Sequence, residues 1–220
     1  MSEDNFNAGK KIRFLFFSTL IGSLLTACAS PISGLAANEK ISPVIVYIES
    51  CNYDLNGTLS KYVSEAVYPS LAARRRQMPG LVDLCRETIS HVGSALERSE
   101  ITTVVNTVDD AIPAQTVRDQ AAAKIGAKYI IFVRKPAINN LIQNTGPTIL
   151  YIPYVYTTVD VYTVASEKPV GSGQVVSGKY ASAEKGATVA ARIAKTLNER
   201  CSNRQLGCGA DGGIFLYGRK

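Results

Sequence analysis

Residues 43–50 read PVIVYIES, a β-branched run with no charge before Glu49 and long enough for a buried central strand. A strand that is apolar at every position suits a sheet covered on both faces, so helices must pack against it. The rest of the chain supplies them. Leu81, Leu84, Cys85, Thr88, Ile89, Val92 and Leu96 recur at helical spacing and predict a strong helix. ITTVVNTV (101–108) predicts a second strand, AQTVRDQAAAKIGA (114–127) a helix stopped at Gly126, and KYIIFVRK (128–135) a third strand. TILYIPYVYTTVDVYTV (148–164) and VGSGQVVSGKYA (170–181) predict a hairpin, and EKGATVAARIAKTLNERC (184–201) a closing helix. The order predicts an α/β fold: one two-layer or three-layer domain with a mixed sheet of about five strands packed by helices.

The domain is expected over 43–200. Segment 51–80 reads as an insertion: Leu59, Tyr62, Val63, Ala66 and Val67 fall at helical spacing, but Pro69 interrupts and Met78-Pro79-Gly80 stops the pattern. With 46% hydrophobic and 19% charged residues the chain can bury an ordinary core. Its net charge of +6 is too diffuse to argue for nucleic acid.

The N-terminus addresses the chain to a compartment. Lys10, Lys11 and Arg13 precede an uncharged, mostly apolar run, Phe14–Ala27, of 14 residues. A membrane-spanning helix needs roughly 20, whereas a basic front and a short apolar core describe a secretory signal. Leu25, Thr26, Ala27 and Cys28 resemble the lipobox of bacterial lipoproteins. The resemblance implies cleavage after residue 27 and a covalent lipid on the Cys28 sulfur, with no other cofactor. Residues 1–27 then form a signal peptide and 28–42 a flexible tether. Ala29 is not the aspartate that retains enterobacterial lipoproteins in the inner membrane, so the expected address is the periplasmic face of the outer membrane.

An even number of further cysteines in an oxidising space predicts disulfides. Cys51, Cys85, Cys201 and Cys208 allow three connectivities. Cys51 at the end of the first strand and Cys85 on the strong helix favour Cys51–Cys85 with Cys201–Cys208, the latter in a cysteine-containing tail, 201–220. No C-x-x-C occurs and His91 is the only histidine, so no metal site is expected.

Three elements carry a further resemblance: AAAKIGAKYIIFVRK, TTVDVYTVASEKPVGSGQVVSG and AARIAKTLNER. Together they resemble the small α/β domain of the curli-secretion lipoproteins, the penicillin-binding-protein activator lipoproteins and the N-terminal domain of the Tol translocation protein. The resemblance implies a non-catalytic periplasmic protein that assembles or regulates an envelope machine through protein contacts or self-association.

Reactive motifs are sparse. Gly173 to Lys179 matches G-x-x-x-x-G-K, but Tyr180 stands where a phosphate loop has Ser or Thr, and the segment reads as strand rather than the entry to a helix. His91 has no nucleophile paired with it, and Asp109-Asp110 reads as a turn or cap, so no enzyme is expected. Partner contacts are expected instead at Tyr151, Tyr154 and Tyr156, where Pro147 and Pro153, flanking TILYI (148–152), suggest an edge strand or a projecting hairpin. The arginines Arg74, Arg75 and Arg76 suit either a solvated helix end or an acidic partner. A second functional class, a small-ligand or glycan module, would use Asn139, Asn140 and Asn144 beside the tyrosines.

Overall fold

The structure, a computed structural model, describes residues 41–55, 59–109, 111–178 and 180–198. In chain order the elements are β1 (Val44–Glu49), α1 (Leu59–Tyr62), α2 (Leu71–Arg98), β2 (Thr103–Val108), α3 (Gln115–Ile125), β3 (Tyr129–Val133), β4 (Ala137–Asn144), β5 (Ile149–Thr163), β6 (Gly171–Val176), a 3₁₀ turn (Ala181–Ala183) and α4 (Gly186–Asn198). The fold is α/β with a mixed six-stranded sheet.

β1 lies between β2 and β3, parallel to both, and β5 runs antiparallel to β3 and to β6. Even-numbered β1 residues Val44, Val46 and Ile48 face α2 and α4, joined by Ile131, Val133, Val159, Val161 and Val175. Odd-numbered Ile45 and Tyr47 turn to the other face with Ile130, Phe132 and Tyr162, where α3 packs through Ala122. The alternation of side chains across a strand thus builds three layers from the unbroken apolar run. Gly126 ends α3 in the left-handed conformation, φ 68°, which a residue without Cβ adopts at no steric cost.

Two expectations require correction. The Met78-Pro79-Gly80 stop is absent: α2 runs unbroken through Pro79 for 28 residues, so the supposed insertion ends near residue 70 and its last ten residues belong to the main helix. An interior proline costs about 3 kcal/mol. Burial of Met78, Leu81, Leu84, Cys85, Val92 and Leu96 along the same helix offsets it, and Ser70 caps the start by accepting from the Ala73 amide at 3.1 Å. The helical spacing of 59–67 yields only the four-residue α1; Val63 instead bridges Ile138 as a short parallel pair.

The sequence also gave no warning of β4. It continues β3 along the same side of β5, because Val133 pairs with Val159 and Ala137 with Tyr156. Residues 134–136 therefore face only two residues of β5, a β-bulge that accommodates Pro136 without an amide to spare. Past this bulge β4 and β5 leave the sheet as a two-stranded ribbon.

Candidate functional site: a filled crevice and a projecting ribbon

The chain leaves β1 through α2 to β2 on one side, then returns through α3 to β3 on the other. The carboxyl ends of β1 and β3 are therefore the switch point where open α/β sheets usually bind ligands. Here the protein fills that place itself. Glu49, the last residue of β1, meets Lys135, just past β3, with Nζ 3.3 Å from Oε1 and both side chains almost wholly buried. The Lys135 amide donates to Glu49 Oε2 at 3.1 Å, and its ammonium donates to the Asn52 carbonyl at 2.6 Å. The ammonium also lies 5.4 Å from the Tyr53 ring centre and 5.2 Å from that of Tyr62, within cation–π range. The two rings meet edge to face at 4.9 Å. The Tyr53 hydroxyl donates to the Pro136 carbonyl at 2.9 Å, and burial, reinforced by the Glu49 charge, pushes its pKa upward.

Residues 51–55 and 59–70 form the cover. The Cys51–Cys85 disulfide fastens one end to α2, as its position at the strand end led us to expect. Ser64 fastens the other, its hydroxyl donating to Asn140 Oδ1 at 2.8 Å and its amide to the Ile138 carbonyl. None of Glu49, Lys135, Tyr53 and Tyr62 stood out in the sequence as a unit. Two of them sit in the segment taken for an insertion, and only the fold brings them together.

The ribbon is the second feature. From Pro136 to Val159 no residue is charged. Cross-strand pairs place Ile142 with Tyr151 and Asn144 with Ile149 on one face, and Leu141 with Ile152 and Gln143 with Leu150 on the other. Ile142, Ile149, Leu150 and Tyr151 are 52, 55, 44 and 48% exposed. Both faces of the tip are thus apolar and open to solvent, unlike the one-sided pattern of an ordinary surface hairpin.

Among the expected contact residues, Tyr151 is exposed at this tip. Tyr154 is buried, because β5 has rejoined the body there; its ring packs on that of half-buried Tyr156 at 5.6 Å, and burial pushes its pKa up to about 12. Tyr154 is therefore a core residue rather than a contact. The three arginines lie near the start of α2, not at a helix end that its dipole would favour. Arg74 turns inward, donating to the carbonyls of Tyr68 and Pro69 at 3.0 and 2.8 Å and pairing with Glu65 at 3.3 Å. Arg75 and Arg76 are exposed.

The asparagines do not present a free polar lining. Asn139 accepts from the Asn140 amide, Asn140 from Ser64, and Asn144 from the Gly146 amide in the ribbon turn. Gly173–Val176 lies in β6. Among the described residues no three His, Cys, Asp or Glu side chains form a metal-holding group, and no helix is long and apolar enough to cross a membrane. The lipobox with Cys28, and the pair Cys201 and Cys208, lie outside the described residues.

No family model and no curated protein matches the chain. Among solved structures it is similar to a PelC dodecamer from Paraburkholderia phytofirmans, at 14% identity and a TM-score of 0.35 over 78% of this chain and 93% of that one. It is similar also to a neuraminyllactose-binding hemagglutinin homolog from Helicobacter pylori, at 12% identity and a TM-score of 0.33 over 78% and 93% of the two chains. Likeness of this size assigns no family and carries no argument about function.

Proposed function

We propose that the protein is a lipid-anchored, non-catalytic component of the cell envelope that works by docking the β4–β5 ribbon on a protein partner or on another copy of itself. The lipobox resemblance supplies the anchor at Cys28, on the periplasmic face of the outer membrane, and the secretion and cell-wall lipoproteins it resembles supply the kind of machine served.

One observation carries this reading: an uncharged ribbon, apolar on both faces, standing clear of the sheet. A two-stranded ribbon alone in water is marginal, and exposed apolar groups of this kind mark contact surfaces. Filling of the strand-end crevice by Glu49, Lys135, Tyr53 and Tyr62 supports the absence of catalysis there. Direction adds to the argument. The tether enters at the start of β1, while β3 and β4 run parallel to β1 and onward to the tip. The ribbon thus points away from the anchored end.

Replacing Ile142, Ile149, Leu150 and Tyr151 by serine is expected to abolish co-purification with envelope partners and self-association, while the soluble fold and membrane fractionation persist. Unchanged complexes with this variant would contradict the reading. Cys28→Ser is expected to release the chain from membranes, and unaltered fractionation would remove the anchor from it.

A further inference from the structure

The geometry points to a second docking site, distinct from the ribbon: a groove along the first half of α2 that takes an extended acidic peptide segment of a protein partner, with an apolar side chain between two carboxylates. It lies on another surface from the ribbon and stands whether or not the ribbon docks.

Arg75, Pro79, Val82 and Arg86 fall at i, i+4, i+7 and i+11, one stripe along the helix. They form one wall of a cavity of about 560 Å³ whose other wall is Asn52, Tyr53 and Leu55. Leu55 is 46% exposed and Pro79 is exposed, so the floor between the two arginines is apolar and open. Among the described residues Arg75 and Arg86 make no ion pair, in contrast to Arg74, Arg134 and Arg192, which are paired with Glu65, Asp160 and Glu184. Two unpaired cations therefore flank an apolar trough.

Spacing selects the ligand. Eleven residues of helix separate the two arginines by about 16 Å. In an extended peptide side chains alternate between faces, so two carboxylates four residues apart and the side chain midway between them share one face and span about 13 Å at about 3.3 Å per residue, a separation the long arginine side chains match by leaning inward. Guanidinium groups grip carboxylates in bidentate fashion, which gives the pairing both strength and direction. Pro79 adds a backbone acceptor: having no amide hydrogen, it leaves the Arg75 carbonyl without its usual helical donor. Asp83 stands on the same wall as a further acceptor for partner amides, and its negative charge disfavours a third carboxylate between the first two.

The test uses the full chain in detergent and an N-acetylated, C-amidated pentapeptide with aspartate at both ends and leucine third, all three on one face when extended. Titration calorimetry at low salt is expected to show saturable binding that weakens with added salt. Arg75→Ala with Arg86→Ala should reduce affinity at least about tenfold, whereas Arg76→Ala, about 100° further round the helix, should change it less than about twofold. Leu55→Ser should also weaken binding, as should asparagine in place of both peptide aspartates. All these residues are exposed, so the variants keep the fold, checked by circular dichroism. No saturable binding, or equal binding by the double variant or by the asparagine peptide, would overturn the proposal. So would anionic phosphatidylglycerol vesicles binding with the same arginine dependence while the peptide does not.

Discussion

Lys135 shows how much a single residue can hold in this protein. Its ammonium is shared among the Glu49 carboxylate, the Asn52 carbonyl and two tyrosine rings, in a place that excludes water. Removing one member of such a pair leaves an uncompensated buried charge and costs about 3–5 kcal/mol, whereas removing both costs far less. Lys135→Met should therefore lower unfolding stability by that amount in urea titrations, and Glu49→Gln with Lys135→Met should recover more than half. Equal losses in the single and double variants would show that the pair does not act as a unit. Tyr154 sets a pH limit at the same scale. An unfolded tyrosine ionises near about 10, and burial raises the folded value to about 12. The folded state then favours the neutral phenol, so this contribution to stability is complete below pH 10 and is lost as pH rises through 12. Unfolding midpoints followed from pH 9 to 12 should fall, and Tyr154→Phe should lessen the fall. A flat profile in the parent chain would contradict the burial assigned to it.

Among the elements, the cover over the strand ends depends on one covalent link. The Cys51–Cys85 bond closes a separation of 34 residues, and loss of such a bond costs about 2–5 kcal/mol. Replacing both cysteines by serine should produce that loss and speed amide exchange in 51–55 and 59–70 before the sheet is affected; unchanged exchange in the cover would mean that Tyr53, Tyr62 and Ser64 suffice to hold it. Elements with strong local signals could be read directly from sequence. β1 and β3 declare themselves as unbroken apolar runs, and α3 as an alanine-rich stretch ended by Gly126. Elements decided by distant contacts could not. Met78-Pro79-Gly80 has the local chemistry of a break, yet α2 continues because its buried stripe outweighs the missing hydrogen bond. β4 has asparagines at three of its eight positions and no clean alternation; it becomes a strand only because β5 lies beside it. The ribbon was thus half legible: the proline-flanked segment 148–152 suggested an edge strand or a projecting hairpin, while the identity of its partner strand did not emerge. The same limit applied to the site. Tyrosine count alone could not separate exposed Tyr151 from buried Tyr154, since only the point at which β5 leaves the sheet distinguishes them.

At the scale of the whole molecule, the sheet is an axis with different chemistry at its two ends. The chain enters the sheet where β1 begins, and the ribbon leaves where β3 and β4 run out, beyond a crevice that the chain has closed with its own Lys135, Glu49, Tyr53 and Tyr62. On the proposed function, a lipid at Cys28 holds one end of this domain and the apolar ribbon at the other reaches a partner. The most direct measurement places a photo-activated cross-linking side chain in intact cells at Tyr151 and, separately, at Leu150, on opposite faces of the ribbon, with exposed Glu97 on α2 as the control position. The account predicts the same protein adduct from both ribbon positions, none from Glu97, and loss of the adduct when Ile142 and Ile149 are changed to serine. A folded, membrane-bound chain that gives no ribbon adduct, or gives one unaffected by those changes, would contradict it.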